Sequence, residues 1–199
     1  MNKHVVMALL ILSAISALFA QGIQDSYHAE MRGDYPNALA AVEQLAAGDP
    51  DELFYTMRIA WLQYLSGDYH TARTTYAKAL NKLDHLDAHL GILNCQLALG
   101  EWSAALGNST QLIARYPGNP MLLSKAAYAA FMMKDHAKAA KYYADILTLY
   151  PWDLDSRAFY VNNLYLSGKI AEAKREYGTL KKYAPQSQIV IDYKDILGK

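Results

Sequence analysis

A short turn returns along this chain at almost constant intervals. Gly33-Asp34-Tyr35, Gly67-Asp68-Tyr69, Gly100-Glu101-Trp102, Lys134-Asp135-His136 and Gly168-Lys169-Ile170 occupy the same slot, at steps of 34, 33, 34 and 34 residues. A unit this short cannot bury an apolar face alone, so copies must stack on their neighbours to make a continuous core. That requirement narrows the possible folds more than any other feature of the sequence.

The period carries further positions with it. Five residues after each turn start stands Ala: Ala38, Ala72, Ala105, Ala139 and Ala173. Nine residues after it come Val42, Tyr76, Ser109, Tyr143 and Tyr177; twelve after it come Leu45, Ala79, Leu112, Ile146 and Leu180. Seventeen after it come Pro50, Asp84, Pro117, Pro151 and Pro185. Between the turns apolar residues recur at three and four, the spacing of one face of an amphipathic helix. Glycine ends a helix because it enters the left-handed conformation without a Cβ clash. The repeated Ala lets two antiparallel helices approach. The residue four positions later shares its helical face and fills the space toward the next unit. Pro closes the second helix, and Asn119-Pro120 reads as a cap followed by Pro in the first turn.

These residues resemble the tetratricopeptide repeat (TPR) family in period, turn glycine, alanine, aromatic and terminal proline. The resemblance spans about residues 22–185. It implies an all-α, right-handed superhelical solenoid of about five helix-turn-helix repeats, near 22–51, 52–85, 86–118, 119–152 and 153–186, within one domain over 21–199. The helix pairs are expected near 23–32 with 35–47, 52–66 with 69–83, 86–99 with 102–115, 119–133 with 136–149, and 153–167 with 170–183. A last helix over 187–197 is expected to cap the open end. The family's large aromatic early in the first helix is replaced by Thr56, His89, Leu123 and Arg157. The third unit carries Gly107 inside its second helix and Ser109 in place of the packing aromatic, which predicts that 102–115 is the softest helix.

The resemblance also implies which side chains face a concave groove. They are Tyr27 in the first unit, then Phe54, Met57, Trp61 and Tyr64, then Leu90 and Asn94, then Tyr128 and Phe131, then Asn162 and Tyr165. This lining is apolar and aromatic. Asn94 and Asn162 match the type of residue with which some members grip a C-terminal carboxylate, but the basic residues of that clamp are missing. The lining suits a protein or peptide segment with apolar side chains, because aromatic anchors are common hot spots. The competing reading is that these residues pack between neighbouring helices, or that the C-terminal helix fills the groove.

Residues 1–20, MNKHVVMALLILSAISALFA, read as a cleavable signal peptide. Lys3 supplies the positive start, Val5 to Phe19 the uncharged run, and Leu18-Phe19-Ala20 the cleavage site. The run is short for a membrane span, so no stable membrane insertion is expected after cleavage, with an uncleaved anchor as the alternative. Lys plus Arg equals Asp plus Glu, at 19 each, which argues against a nucleic-acid partner. Cys95 is the one cysteine, so no bridge forms within the chain. It reads as a buried small hydrophobe, with an intermolecular bridge or a reactive thiol as the other possibilities.

Signals for catalysis are thin. His85 and His89 are four apart with Asp84 and Asp87 near, a spacing that suits metal ligands, but they straddle a helix start where capping is the plainer role. No phosphate loop, HExxH or GxSxG stretch occurs. The expectation is therefore a non-enzyme without cofactor or metal: an exported bacterial TPR scaffold or adaptor in the cell envelope, periplasmic or else secreted, monomeric or a weak homo-oligomer. A periplasmic holding chaperone is the alternative.

Overall fold

The computed structural model describes residues 22–198. The segment expected to be a signal peptide, its expected cleavage site and the terminal residue lie outside the described residues. What is described is helix joined by short turns, with no strand among the described residues. The elements are α1 (22–31), α2 (Tyr35–Gly48), α3 (Leu53–Leu65), α4 (Tyr69–Lys82), α5 (Leu86–Ala98), α6 (Trp102–Arg115), α7 (Pro120–Met132), α8 (His136–Leu149), α9 (Leu154–Leu166), α10 (Ile170–Tyr183), α11 (Gln188–Asp192) and α12 (Lys194–Leu197). They fall into two compact units, one ending at Cys95 and one beginning at Gln96.

Each repeated turn works by the same chemistry. Gly33, Gly67, Gly100 and Gly168 have positive φ, and Lys134 adopts the same left-handed conformation at φ 62°. The following N–H bonds back into the helix, as from Asp34 to the Ala29 carbonyl at 2.9 Å and from Asp135 to the Ala130 carbonyl at 2.9 Å. This closes the last turn of the first helix and satisfies its carbonyls. Where the next residue is Asp, its carboxylate starts the second helix: Asp34, Asp68 and Asp135 accept from the N–H groups of Asn37, Thr71 and Lys138. Glu101 and Lys169 stand in the same slot without a side-chain cap bond.

The repeated alanines are all fully buried. In the first unit α3 packs against α2 and α4. Ala29, Ala38, Val42 and Leu62 form one cluster there. Ala60, Ala72, Tyr76, Ala79, Ala88 and Cys95 form the next. In the second unit α6 to α10 pack in sequence. Leu123, Ala127, Tyr143 and Ile146 form one cluster, and Val161, Leu164, Ala173, Tyr177 and Leu180 close a second with Val190 and Leu197.

Three of the four slots that lack the early aromatic are held by polar ties to the preceding loop. Lys82 Nζ donates to the Pro50 carbonyl at 2.6 Å and to Thr56 Oγ1 at 3.2 Å. His89 Nε2 meets Asp84 Oδ1 at 2.6 Å. Arg157 Nη2 donates to the Pro151 carbonyl at 2.8 Å while its other terminal nitrogen pairs with Glu176.

The expected single cap helix is two short helices, α11 and α12, broken at Tyr193. The break has a packing reason. It sets the Tyr193 ring 4.8 Å from that of Tyr165 while Leu197 reaches the core. Tyr177 also donates its hydroxyl to the Val190 carbonyl at 3.0 Å, fixing the segment on α10.

Candidate functional site

In the first unit α1 and α3 assemble a site around one buried cation. Arg58 is the only charged residue within α3, and it is 8% exposed. The packed helix turns it toward α1 rather than to solvent. Its guanidinium lies 4.1 Å from the centroid of the Tyr27 ring, and Nη2 donates to Ser26 Oγ at 3.2 Å. Glu30, one turn on from Tyr27, completes an ion pair with Arg58. The second oxygen of that carboxylate accepts from Trp61 Nε1 at 2.8 Å. Trp61 stacks on Tyr64 at 5.7 Å and 19°, and Tyr64 leans on Tyr69 at 5.3 Å. Burial raises the Tyr64 phenol above its ordinary range.

The result is a continuous relay from Tyr27 through Arg58 and Glu30 to Trp61. It flanks an open groove of about 640 Å³ lined by Tyr27, Glu30, Met31, Tyr35, Arg58, Trp61 and Leu65. Its two charges neutralise each other, so the groove presents rigid aromatic and aliphatic surface rather than net charge. Two long charged side chains held this way also fix the aromatic rings, which lowers the ordering cost of any contact made on them. Of the first-unit residues expected to line a groove, Tyr27, Phe54 and Trp61 remain exposed. Met57 and Tyr64 pack partly into the core, Asn94 is half-buried, and Leu90 is 7% exposed and belongs to the interior. Arg58 was not among the expected residues. The available signal was its isolation as a lone charge in an apolar helix.

The second unit treats its expected residues differently. Tyr128 is exposed and meets Trp102 edge-on at 5.9 Å. Phe131 leans on His136 at 5.5 Å. Asn162 Oδ1 accepts from Tyr193 Oη at 2.7 Å, so this expected groove residue is engaged by the chain's own C-terminal segment. Tyr165 lies under the same Tyr193 ring.

His85 Nδ1 accepts from the Asp87 N–H at 3.2 Å, the local role expected at a helix start, and His89 is turned to Asp84. Among the described residues no group of three or more His, Cys, Asp or Glu side chains is placed to hold a metal ion. No described helix is long and apolar enough to cross a membrane.

Helix pairs that repeat, share interdigitated alanines and close with one turn define a helical-repeat protein. Two tetratricopeptide-repeat family models match it, one at residues 28–89 and 93–153 and the other at 130–191. The chain belongs to the tetratricopeptide repeat family. No curated protein sequence matches it. Among solved structures it is similar to a tetratricopeptide repeat protein from Parabacteroides merdae, with TM-score 0.76 and 17% identity over 91% of this chain and 72% of that one. It is similar to MamA from Desulfovibrio magneticus, with TM-score 0.74 and 14% identity over 86% of this chain and 97% of that one. It is also similar to YrrB, described as a TPR protein with an unusual peptide-binding site, with TM-score 0.69 and 12% identity over 88% and 91% of the two chains. At these identities the likeness is one of fold. The TPR fold is a protein–protein interaction scaffold.

Proposed function

We propose that this chain is a non-enzymatic scaffold of the bacterial cell envelope, exported by its first twenty residues, that holds an apolar segment of a partner protein on the Tyr27–Trp61 groove. The observation that carries this reading is the groove itself. Met31 is 84% exposed beside Tyr27 and Trp61, and the charges beneath them are already paired. An uncharged partner side chain entering there buries apolar surface without stripping water from an unpaired ion. Exposed aromatic rings held by a second layer of hydrogen bonds are typical anchor sites. The YrrB resemblance is compatible with a peptide ligand.

The full chain, expressed in a bacterial host with an affinity tag at its C-terminus, tests both parts. Fractionation is expected to place it outside the cytoplasm with a mass reduced by residues 1–20. Capture from the envelope fraction is expected to retain one or two proteins that a Tyr27→Ala/Trp61→Ala variant of unchanged helicity loses. Retention of many unrelated unfolded proteins would favour the holding-chaperone reading, for which the exposed Met31 is the supporting feature, since methionine adapts to varied partners. Capture unchanged by the variant would remove the groove assignment.

A further inference from the structure

A second surface lies in the other unit, on a face that the groove reading leaves out. Three inter-helix loops of that unit form one edge. A methyl group at Gly118 would stand 3.0 Å from Leu149 Cδ1, so the loop after α6 touches the end of α8. Leu149, Tyr150, Pro151 and Trp152 border a shallow hollow of about 520 Å³ with Pro120 and Asp153. Trp152 then meets Tyr183, at the end of α10, edge-on at 5.3 Å. The edge is thus continuous from α6 to α10.

Its chemistry is unusual for a solvated loop. Trp152 is 70% exposed, and Leu149, Tyr150 and Tyr183 are exposed with it. The cations Arg115 and Lys182 lie over the rings of Tyr116 and Tyr183, at 5.4 and 4.9 Å from the centroids, and Lys181 is exposed alongside. Of the three nearby acids one, Glu176, is neutralised by a cation, while Asp153 and Asp155 keep their charge. Asp153 caps α9 through the Ser156 N–H and hydroxyl, and Glu176 is paired with Arg157; Asp155 in the first turn of α9 remains exposed. Arg157 also grips the Pro151 carbonyl, so the loop that presents Trp152 is braced from beneath.

We propose that this edge rests on the surface of a membrane containing anionic lipid. Tryptophan and tyrosine suit the boundary between headgroup and acyl chain because each joins an apolar ring to a polar handle. Leu149 supplies further apolar depth, and Lys182, over the Tyr183 ring, with the exposed Lys181 next to it in sequence, supplies positive charge for the headgroup phosphates that such a placement brings near. An apolar peptide would use the rings without the cations. Anionic lipid uses both, which is why charge complementarity selects it. The contact proposed is one of this edge with the membrane surface; no described helix is long and apolar enough to span.

The test uses the full chain carrying Trp61→Phe and Trp102→Phe, which leaves Trp152 as its one tryptophan. Vesicles of phosphatidylcholine with one part in three of phosphatidylglycerol are prepared with and without brominated acyl chains. Expected results are a blue shift of Trp152 emission, quenching by brominated lipid, and loss of most of that quenching in a Lys181→Glu/Lys182→Glu variant or on raising salt. Quenching reports this edge rather than any other part of the chain that holds the vesicle. An unquenched Trp152 would overturn the proposal, whether or not the protein sediments with vesicles. Equal quenching in pure phosphatidylcholine would overturn its electrostatic part. Protection of Trp152 only by an added envelope protein would assign the edge to a protein partner instead.

Discussion

The ring of Tyr76 fills the space that a side chain at residue 91 would need. A methyl group on Gly91 would lie 2.4 Å from Tyr76 Cζ and 2.5 Å from both neighbouring ring carbons. The pair joins α4 to α5, and both residues are buried. Tyr76 is thus the repeat's packing aromatic, and Gly91 is its socket.

Gly91→Ala is accordingly expected to destabilise the protein by about 1–3 kcal/mol through overpacking, outweighing the gain of about 1 kcal/mol in helix propensity. Urea denaturation checks the sign. Adding Tyr76→Leu should make the double variant less unstable than the sum of the two single losses.

Arg58→Met should be more damaging than its isosteric size suggests. It leaves Glu30 half-buried without its cation, and breaking such a pair costs about 2–4 kcal/mol once partial exposure is allowed for. Glu30→Gln added to Arg58→Met should recover part of that loss. Trp61 fluorescence should change in the single variant, because the carboxylate that accepts from its indole N–H has lost its counter-ion.

Cys95 links stability to alkaline pH. Burial raises its thiol from the ordinary 9.0 to about 11, with the Arg73 charge working in the opposite direction. The neutral thiol is the form the fold favours, so its contribution is complete below about pH 9. It is lost as pH rises toward about 11, because the unfolded chain releases its proton first. The stability difference between the wild type and Cys95→Ala should therefore shrink across that window. Ellman's reagent should leave Cys95 unmodified in the native protein at neutral pH and modify it on unfolding.

Helix α6 should exchange its amide hydrogens faster than α8. Its cap residue Glu101 makes no side-chain bond to the helix's first turn, Gly107 stands in its interior, and Ser109 Oγ is buried without a hydrogen-bond partner. Gly107→Ala meets nothing within 4 Å and should stabilise by about 0.5–1 kcal/mol. Equal protection of α6 and α8 would contradict this.

The architecture was legible because one constraint repeats. Positive φ at the turn glycines and burial at Ala38, Ala72, Ala105, Ala139 and Ala173 follow from the period alone. Even Lys134 could be placed in the left-handed slot by register, against its own preference. The site was less legible because register assigns a face without saying what else reaches it. Leu90 sits on the expected face but turns into the core, and Asn162 is met by Tyr193 from a segment outside the repeat. Arg58 was hidden for the opposite reason. Its register position is not a groove position, and only its pairing with Glu30 and Tyr27 across two helices brings it there. Trp152 belongs to a loop, where helical periodicity is silent.

The central claim is that a partner segment seats on the α1–α3 groove. Hydrogen–deuterium exchange with the captured partner, free and bound, tests it most directly. The account predicts added protection in peptides covering residues 26–31 and 54–65, abolished by Tyr27→Ala/Trp61→Ala. Protection confined to other helices, with these two unchanged, would contradict it.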